Sequence, residues 1–64
     1  MDIQEKILSA INTGNLSIKN EGEKKWYNYK LRITKLFWNR NLFDGHLIEI
    51  YDFKTNIHLS TIKL

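Results

Sequence analysis

Few side chains in this 64-residue chain could carry chemistry: there are two histidines, three serines and no cysteine. A nucleophile needs a base within reach, and the base needs a third group to orient it. His58 and Ser60 are two residues apart, which on a strand places them on one face and close enough to touch. No carboxylate shares that face to orient the imidazole. Asp44 with His46, and Glu49 with Asp52, are spacings that arise by chance and specify neither a metal site nor an acid–base pair. Gly14, Gly22 and Gly45 all fall at expected turns, so no glycine loop is left to cradle a phosphate. The inventory speaks for a non-enzymatic protein with no cofactor and no metal.

The stretch that stands out instead is Lys24 to Arg40, KKWYNYKLRITKLFWNR, which holds six of the ten basic residues, both tryptophans and two of the three tyrosines, with no acidic residue. Read as one strand, it places Tyr27, Tyr29, Leu31 and Ile33 on one face and Trp26, Asn28, Lys30, Arg32 and Thr34 on the other. Aromatics beside Lys and Arg on a strand are how sheet proteins stack bases and follow a phosphate backbone. The same residue types anchor protein interfaces. Trp26, Lys30 and Arg32 form the candidate cluster for either use, and Arg40, Phe43 and Tyr51 join it for a protein partner. A net charge of +3 is modest for a dedicated nucleic-acid binder. The reading that ranks first is therefore a small inhibitor or adaptor that occupies a protein surface stoichiometrically, the target itself being one that can handle nucleic acid. Direct, sequence-independent nucleic-acid binding is the alternative. A plainer account also exists: lysines on an exposed strand keep a sheet soluble and discourage edge pairing, and aromatics in so small a domain belong to the core, as expected for Tyr27, Tyr29, Phe37 and Trp38.

These residues must be positioned by a single domain, residues 1–64, near the lower limit at which a chain buries enough apolar surface to fold without disulfides or metal. Asp2 and Glu5 have the spacing of a capping box, and Ile3, Ile7 and Ile11 make an apolar stripe, which predicts a helix over 2–13 stopped by Gly14-Asn15. Leu16 and Ile18 alternate with Ser17 and Lys19 as a short first strand, with a hairpin at Asn20-Glu21-Gly22. The long second strand follows. Its alternation fails at Lys35, so a bulge at Thr34 or Lys35 is expected to return Leu36 and Trp38 to the core. Residues 39–45 read as a loop, and 46–52 as the third strand. Asp52 to Asn56 has the form of a type I turn closed by a left-handed asparagine, and the fourth strand runs from Ile57 to Leu64. The expected fold is α+β, one N-terminal helix packed on a four-stranded antiparallel meander that forms a curled sheet or a small half-open barrel.

Both faces of the third strand carry apolar groups and one helix covers one face, which makes a homodimer an expected partner arrangement. The C-terminal strand offers an edge for strand addition. No apolar run is long enough to cross a bilayer and the N-terminus lacks the form of a signal peptide, so no membrane partner and a cytoplasmic location are expected. Nine isoleucines, eight lysines and seven asparagines against one alanine, no valine and no proline resemble the AT-biased composition of accessory proteins of phages and mobile elements.

Overall fold

The computed structural model describes residues 2–64. One helix, α1 (Ile3–Asn12), precedes four strands, β1 (Gly22–Trp26), β2 (Tyr29–Trp38), β3 (Leu42–Asp52) and β4 (His58–Lys63). Each strand pairs antiparallel with the next, in the order β1-β2-β3-β4. The outer strands do not meet, so this is an α+β fold with an open, curled sheet and not a barrel.

The helix forms where its capping residues predict. The Asp2 carboxylate accepts the Glu5 backbone N–H at 2.8 Å, satisfying one of the orphan donors of the first turn. At the other end Gly14 adopts φ +82°, and the Leu16 N–H turns back to the Ala10 carbonyl at 3.1 Å. The stripe is used as expected: Ile7 is fully buried, Ala10 is buried beside it, and Ile3, Leu8 and Ile11 pack at its margins. They meet Leu31, Ile48, Ile50 and Ile62 on one face of the sheet, with Leu16 sealing the end of the helix.

Several boundaries differ from the sequence reading. Leu16–Lys19 is not a strand; Leu16 instead closes the helix terminus, which leaves no partner for that segment. Asn20-Glu21-Gly22 is the entry to β1 and not a hairpin. The long ribbon is two strands, folded on itself at Tyr27-Asn28 with Trp26 opposite Tyr29. The turn is hard to see in sequence because it places a tyrosine at φ +55°, a region that usually calls for glycine, asparagine or aspartate. The segment 39–45 is not a loop either. Asn39 and Arg40 both take positive φ, the pattern of a type I′ turn, and β3 begins at Leu42. The expected bulge lies on the opposite strand: Leu36 pairs with Gly45 and Phe37 with Phe43, leaving Asp44 as the extra residue of β3. The Asp52–Asn56 turn forms as read, with Asp52 bound to the Thr55 N–H and hydroxyl and Asn56 at φ +61°.

Strand lengths decide what happens next. β2 and β3 have 10 and 11 residues, while β1 and β4 have 5 and 6. A ten-residue helix is about 15 Å long and does not reach the far end of the central pair. Residues 35–38 and 42–45 therefore extend as a two-stranded arm beyond both outer strands and beyond the helix.

Candidate protein-binding surface

The six residues singled out in the sequence do not form one site. Trp26 lies on the helix side of the sheet, because Lys24 opposes Leu31 and the alternation carries Trp26 to the same face. It is half-buried against the core and stacks on Tyr29 at 6.2 Å between centroids. Lys30, Arg32 and Tyr51 occupy the opposite, open face. Arg40 and Phe43 belong to the arm.

On the open face the cross-strand rows are Glu23–Arg32–Glu49–Thr61 and Lys25–Lys30–Tyr51–His58. Opposite charges directly across a ladder stabilise it, and here they also consume the basic character of the ribbon. Glu23 binds Arg32 at 2.8 Å and lies 3.8 Å from Lys30. The hydrogen bond from Arg32, with the nearby Lys30 charge, holds the Glu23 carboxyl below its ordinary value. Tyr51 donates to Glu49 at 2.9 Å, and that bond raises its phenol above the usual range. Lys30 and Arg32 sit over the Tyr51 ring at 5.2 and 5.9 Å, and the Lys30 ammonium also donates to the Asn56 side chain at 2.6 Å. Of the three ribbon cations in these rows, Lys30 and Arg32 are matched by two carboxylates on the same face and Lys25 lies over the Phe53 ring instead, a feature invisible in the ribbon sequence because both acids come from neighbouring strands. This half of the open face is polar and satisfied, so the apolar second face that suggested a dimer is not present here. Leu47 and Tyr51 are each half-buried by their neighbours.

The arm has the opposite character. Phe37, Trp38, Leu42 and Phe43 are 54, 64, 62 and 56% exposed. Phe37 and Phe43 face each other across the strands in edge-to-face contact at 6.1 Å, and Phe43 meets His46 at 5.0 Å. Trp38 pairs with Leu42 on the other side of the arm, so both sides are apolar. Tyr27, Phe37 and Trp38 were expected in the core and are exposed. Bringing Trp38 inward would require apolar surface opposite the arm, and no element is there to provide it. The signal for this arm was legible: Phe-Trp and Leu-Phe flank Asn39-Arg40-Asn41 symmetrically, as the two sides of a hairpin do.

Elsewhere the surface carries an open hollow of about 340 Å³ lined by Ile11, Leu16 and Ile18 beside the end of the helix, at the small end of the roughly 300–1,000 Å³ of ordinary ligand sites, and a smaller one of about 230 Å³ between Lys25, Asn28, Asp52, Phe53 and Lys54. Lys25 covers the Phe53 ring there at 4.6 Å. Among the described residues no group of three or more His, Asp or Glu side chains is placed to hold a metal ion, and no helix is long and apolar enough to cross a membrane. His58 and Ser60 do not share a face as expected: the Leu59 bulge sets His58 opposite Tyr51 on the open face, where it hydrogen-bonds Thr61 at 2.7 Å, and Ser60 opposite Ile50 on the helix side, where it accepts from Gln4 at 2.6 Å. Comparison with known proteins gives no match: no family model, no curated protein and no solved structure is similar to this chain.

Proposed function

We propose that this chain is a small non-enzymatic binding protein, an inhibitor or adaptor that occupies a partner protein's surface with the β2–β3 arm. The observation that carries the reading is the joint exposure of Phe37, Trp38, Leu42 and Phe43 at one end of the molecule. Four large side chains, each more than half exposed, present roughly 400 Å² of apolar surface shared between the two sides of the arm, and exposed apolar area gathered at one end of so small a protein is a mark of an interaction site. Trp and Arg are the residue types that most often dominate binding energy, and Trp38 stands next to the turn that carries Arg40. Of the residues picked out by sequence, Arg40 and Phe43 keep this role, while Lys30, Arg32 and Tyr51 form a neutralised face at its base. A partner that handles nucleic acid, in the cytoplasm, remains the expected setting.

The test is capture of partners from a bacterial lysate on immobilised protein, with and without nuclease, using wild type and Trp38→Ser plus Phe43→Ser. A protein retained after nuclease and lost with the double variant supports the arm as binding element. Capture that disappears with nuclease and depends on Lys30 and Arg32 replaces this reading with nucleic-acid binding.

A further inference from the structure

The edges of this sheet are unequally protected. β1 is short, and its outward-pointing positions are the charged Glu23 and Lys25, a common defence against strand addition. On β4, Leu59 is a bulged residue between Ser60 and His58, and Gln4 of the helix donates to the Thr61 carbonyl at 3.4 Å. The sequence reading placed strand addition on this C-terminal strand; its edge is instead bulged and partly covered. On the β3 side of the arm, the Asp44 bulge breaks the edge, Lys63 and Asp44 pair across it at 3.8 Å, and Leu64 holds both backbone groups of His46.

The β2 side of the arm is less protected: one charged position, Lys35, whose N–H is capped by the Glu21 carboxylate, and no bulge of its own. β1 begins at Gly22, opposite Ile33, and β2 continues past that point without a bulge of its own to Trp38. In an antiparallel ladder each residue directs its N–H and C=O to the same side, and successive residues alternate sides. The Phe53 N–H donates to the Asn28 carbonyl on the β3 side, and the Lys35 N–H meets the Glu21 carboxylate on the β1 side at 3.0 Å. Odd-numbered residues of β2 therefore face β1, and among the described residues no strand lies beside them beyond Gly22. The Lys35 carbonyl and both backbone groups of Phe37 are directed outward from an unbulged edge whose side chains beyond Lys35 are apolar on both faces, Phe37 on one and Leu36 and Trp38 on the other.

From this edge we infer that the arm binds its partner by strand addition: an extended peptide segment of the partner pairs with Lys35–Trp38 as a further strand, in line with β1. The inference rests on the arm being the binding element and adds the chemistry of what it binds. Three backbone hydrogen bonds are on offer, from the Lys35 carbonyl, the Phe37 N–H and the Phe37 carbonyl. Side chains of the added strand alternate between the Phe37–Phe43 side and the Leu36–Trp38 side, so the segment is apolar on both faces. Lys35 and Arg40 take part in none of the ion pairs among the described residues, which favours an acidic residue at one end of the segment. A second copy of this chain fits less well. Two β2 edges paired about a two-fold axis bring Lys35 and Arg40 of each copy towards those of the other, and each turn at Asn39-Arg40 runs into the other copy's Glu21.

The test uses a phage-displayed library of random dodecapeptides selected against the full chain, with enriched peptides then synthesised and their affinities measured. A second protein, made by total synthesis, carries an ester in place of the amide between Leu36 and Phe37. It loses the Phe37 N–H and keeps the side chain; because the ester also weakens the Leu36 carbonyl as an acceptor towards β3, a small fall in melting temperature is expected with the fold retained. Enriched peptides should be apolar with an acidic residue, should protect the Phe37 amide from hydrogen exchange, and should bind the ester about three- to tenfold more weakly, the range set by one neutral hydrogen bond. Failure to enrich any peptide overturns the inference, as does equal affinity for the ester. If Trp38→Ser abolishes peptide binding while the ester does not, the arm binds through side chains only: strand addition fails and the arm reading stands. If neither change matters, both fail. If the ester instead lowers self-association of the chain in sedimentation, the added strand belongs to a second copy, and the inference is overturned in that direction.

Discussion

Gly45→Ala is the substitution with the most sharply defined consequence. Gly45 has φ +115°, and a Cβ built there lies 1.9 Å from the Leu64 carbonyl oxygen and 3.0 Å from its carbon. Two costs follow. An L-residue in this region of φ is strained by about 1–3 kcal/mol. The second cost is that Leu64 must move away. Its two backbone hydrogen bonds with His46, at 3.0 and 2.8 Å, contribute about 0.5–1.5 kcal/mol each, so their loss adds about 1–3 kcal/mol. The sum, about 2–6 kcal/mol, is a large share of the roughly 3–10 kcal/mol expected for a domain of this size. Gly22→Ala is the internal control, because Gly22 has nearly the same φ, +125°, with open space for at least 4 Å around the position its methyl group would take. Urea titration of both variants separates the terms: the excess of Gly45→Ala over Gly22→Ala measures the crowding alone. Hydrogen exchange should show the His46 and Leu64 amides deprotected in Gly45→Ala only. Equal destabilisation by the two substitutions would refute the claim that the C-terminal backbone is held against Gly45.

Ile7→Ala, which empties a fully buried site between helix and sheet, is expected to cost about 2–4 kcal/mol by chemical denaturation; a wild-type midpoint would mean that the helix does not dock as described. Arg40→Gly should raise stability by up to about 1 kcal/mol, since Arg40 has φ +67° in a turn that favours Asn-Gly, and a lowered melting temperature would count against the turn. Trp38→Ser should change stability by no more than about 0.5 kcal/mol, as for exposed sites generally, while removing partner binding. In acid, Glu23 and Asp52 set the direction. Arg32 and Lys30 lower the first, and the Thr55 hydroxyl and N–H lower the second. With folded values below the unfolded ones, both contribute stability that is present above the ordinary carboxylate range and lost as pH falls through it. Glu23→Gln should therefore flatten the acid limb of a stability-against-pH curve, and an unchanged limb would remove Glu23 from that account.

The helix and its docking were legible in the chain, because an Asp cap, a glycine stop and isoleucines spaced by four residues are local signals that no tertiary contact has to confirm. The Asp52–Asn56 turn was legible for the same reason. Fold class followed from these together with alternation in Leu47–Tyr51 and the C-terminal residues. Register did not. A strand pattern with period two reads the same whether the ribbon is one strand or two, and the folding point at Tyr27 uses a residue type that turn chemistry does not favour. Only the folded sheet decides that Glu23 lies opposite Arg32, since the pairing depends on where the chain reverses. It is this pairing that offsets most of the positive charge of the ribbon, leaving Lys25 outside the ion pairs. The exposed arm is likewise a matter of relative lengths. The sequence shows that Phe37, Trp38, Leu42 and Phe43 are apolar, but whether they are core or surface depends on how far β1, β4 and the helix extend beside them. Those elements stop short, because β1 begins only at Gly22, opposite Ile33, and β4 pairs no further than Lys63 opposite Leu47, with Leu64 reaching His46, so among the described residues no strand or helix lies beside the aromatic end of the arm.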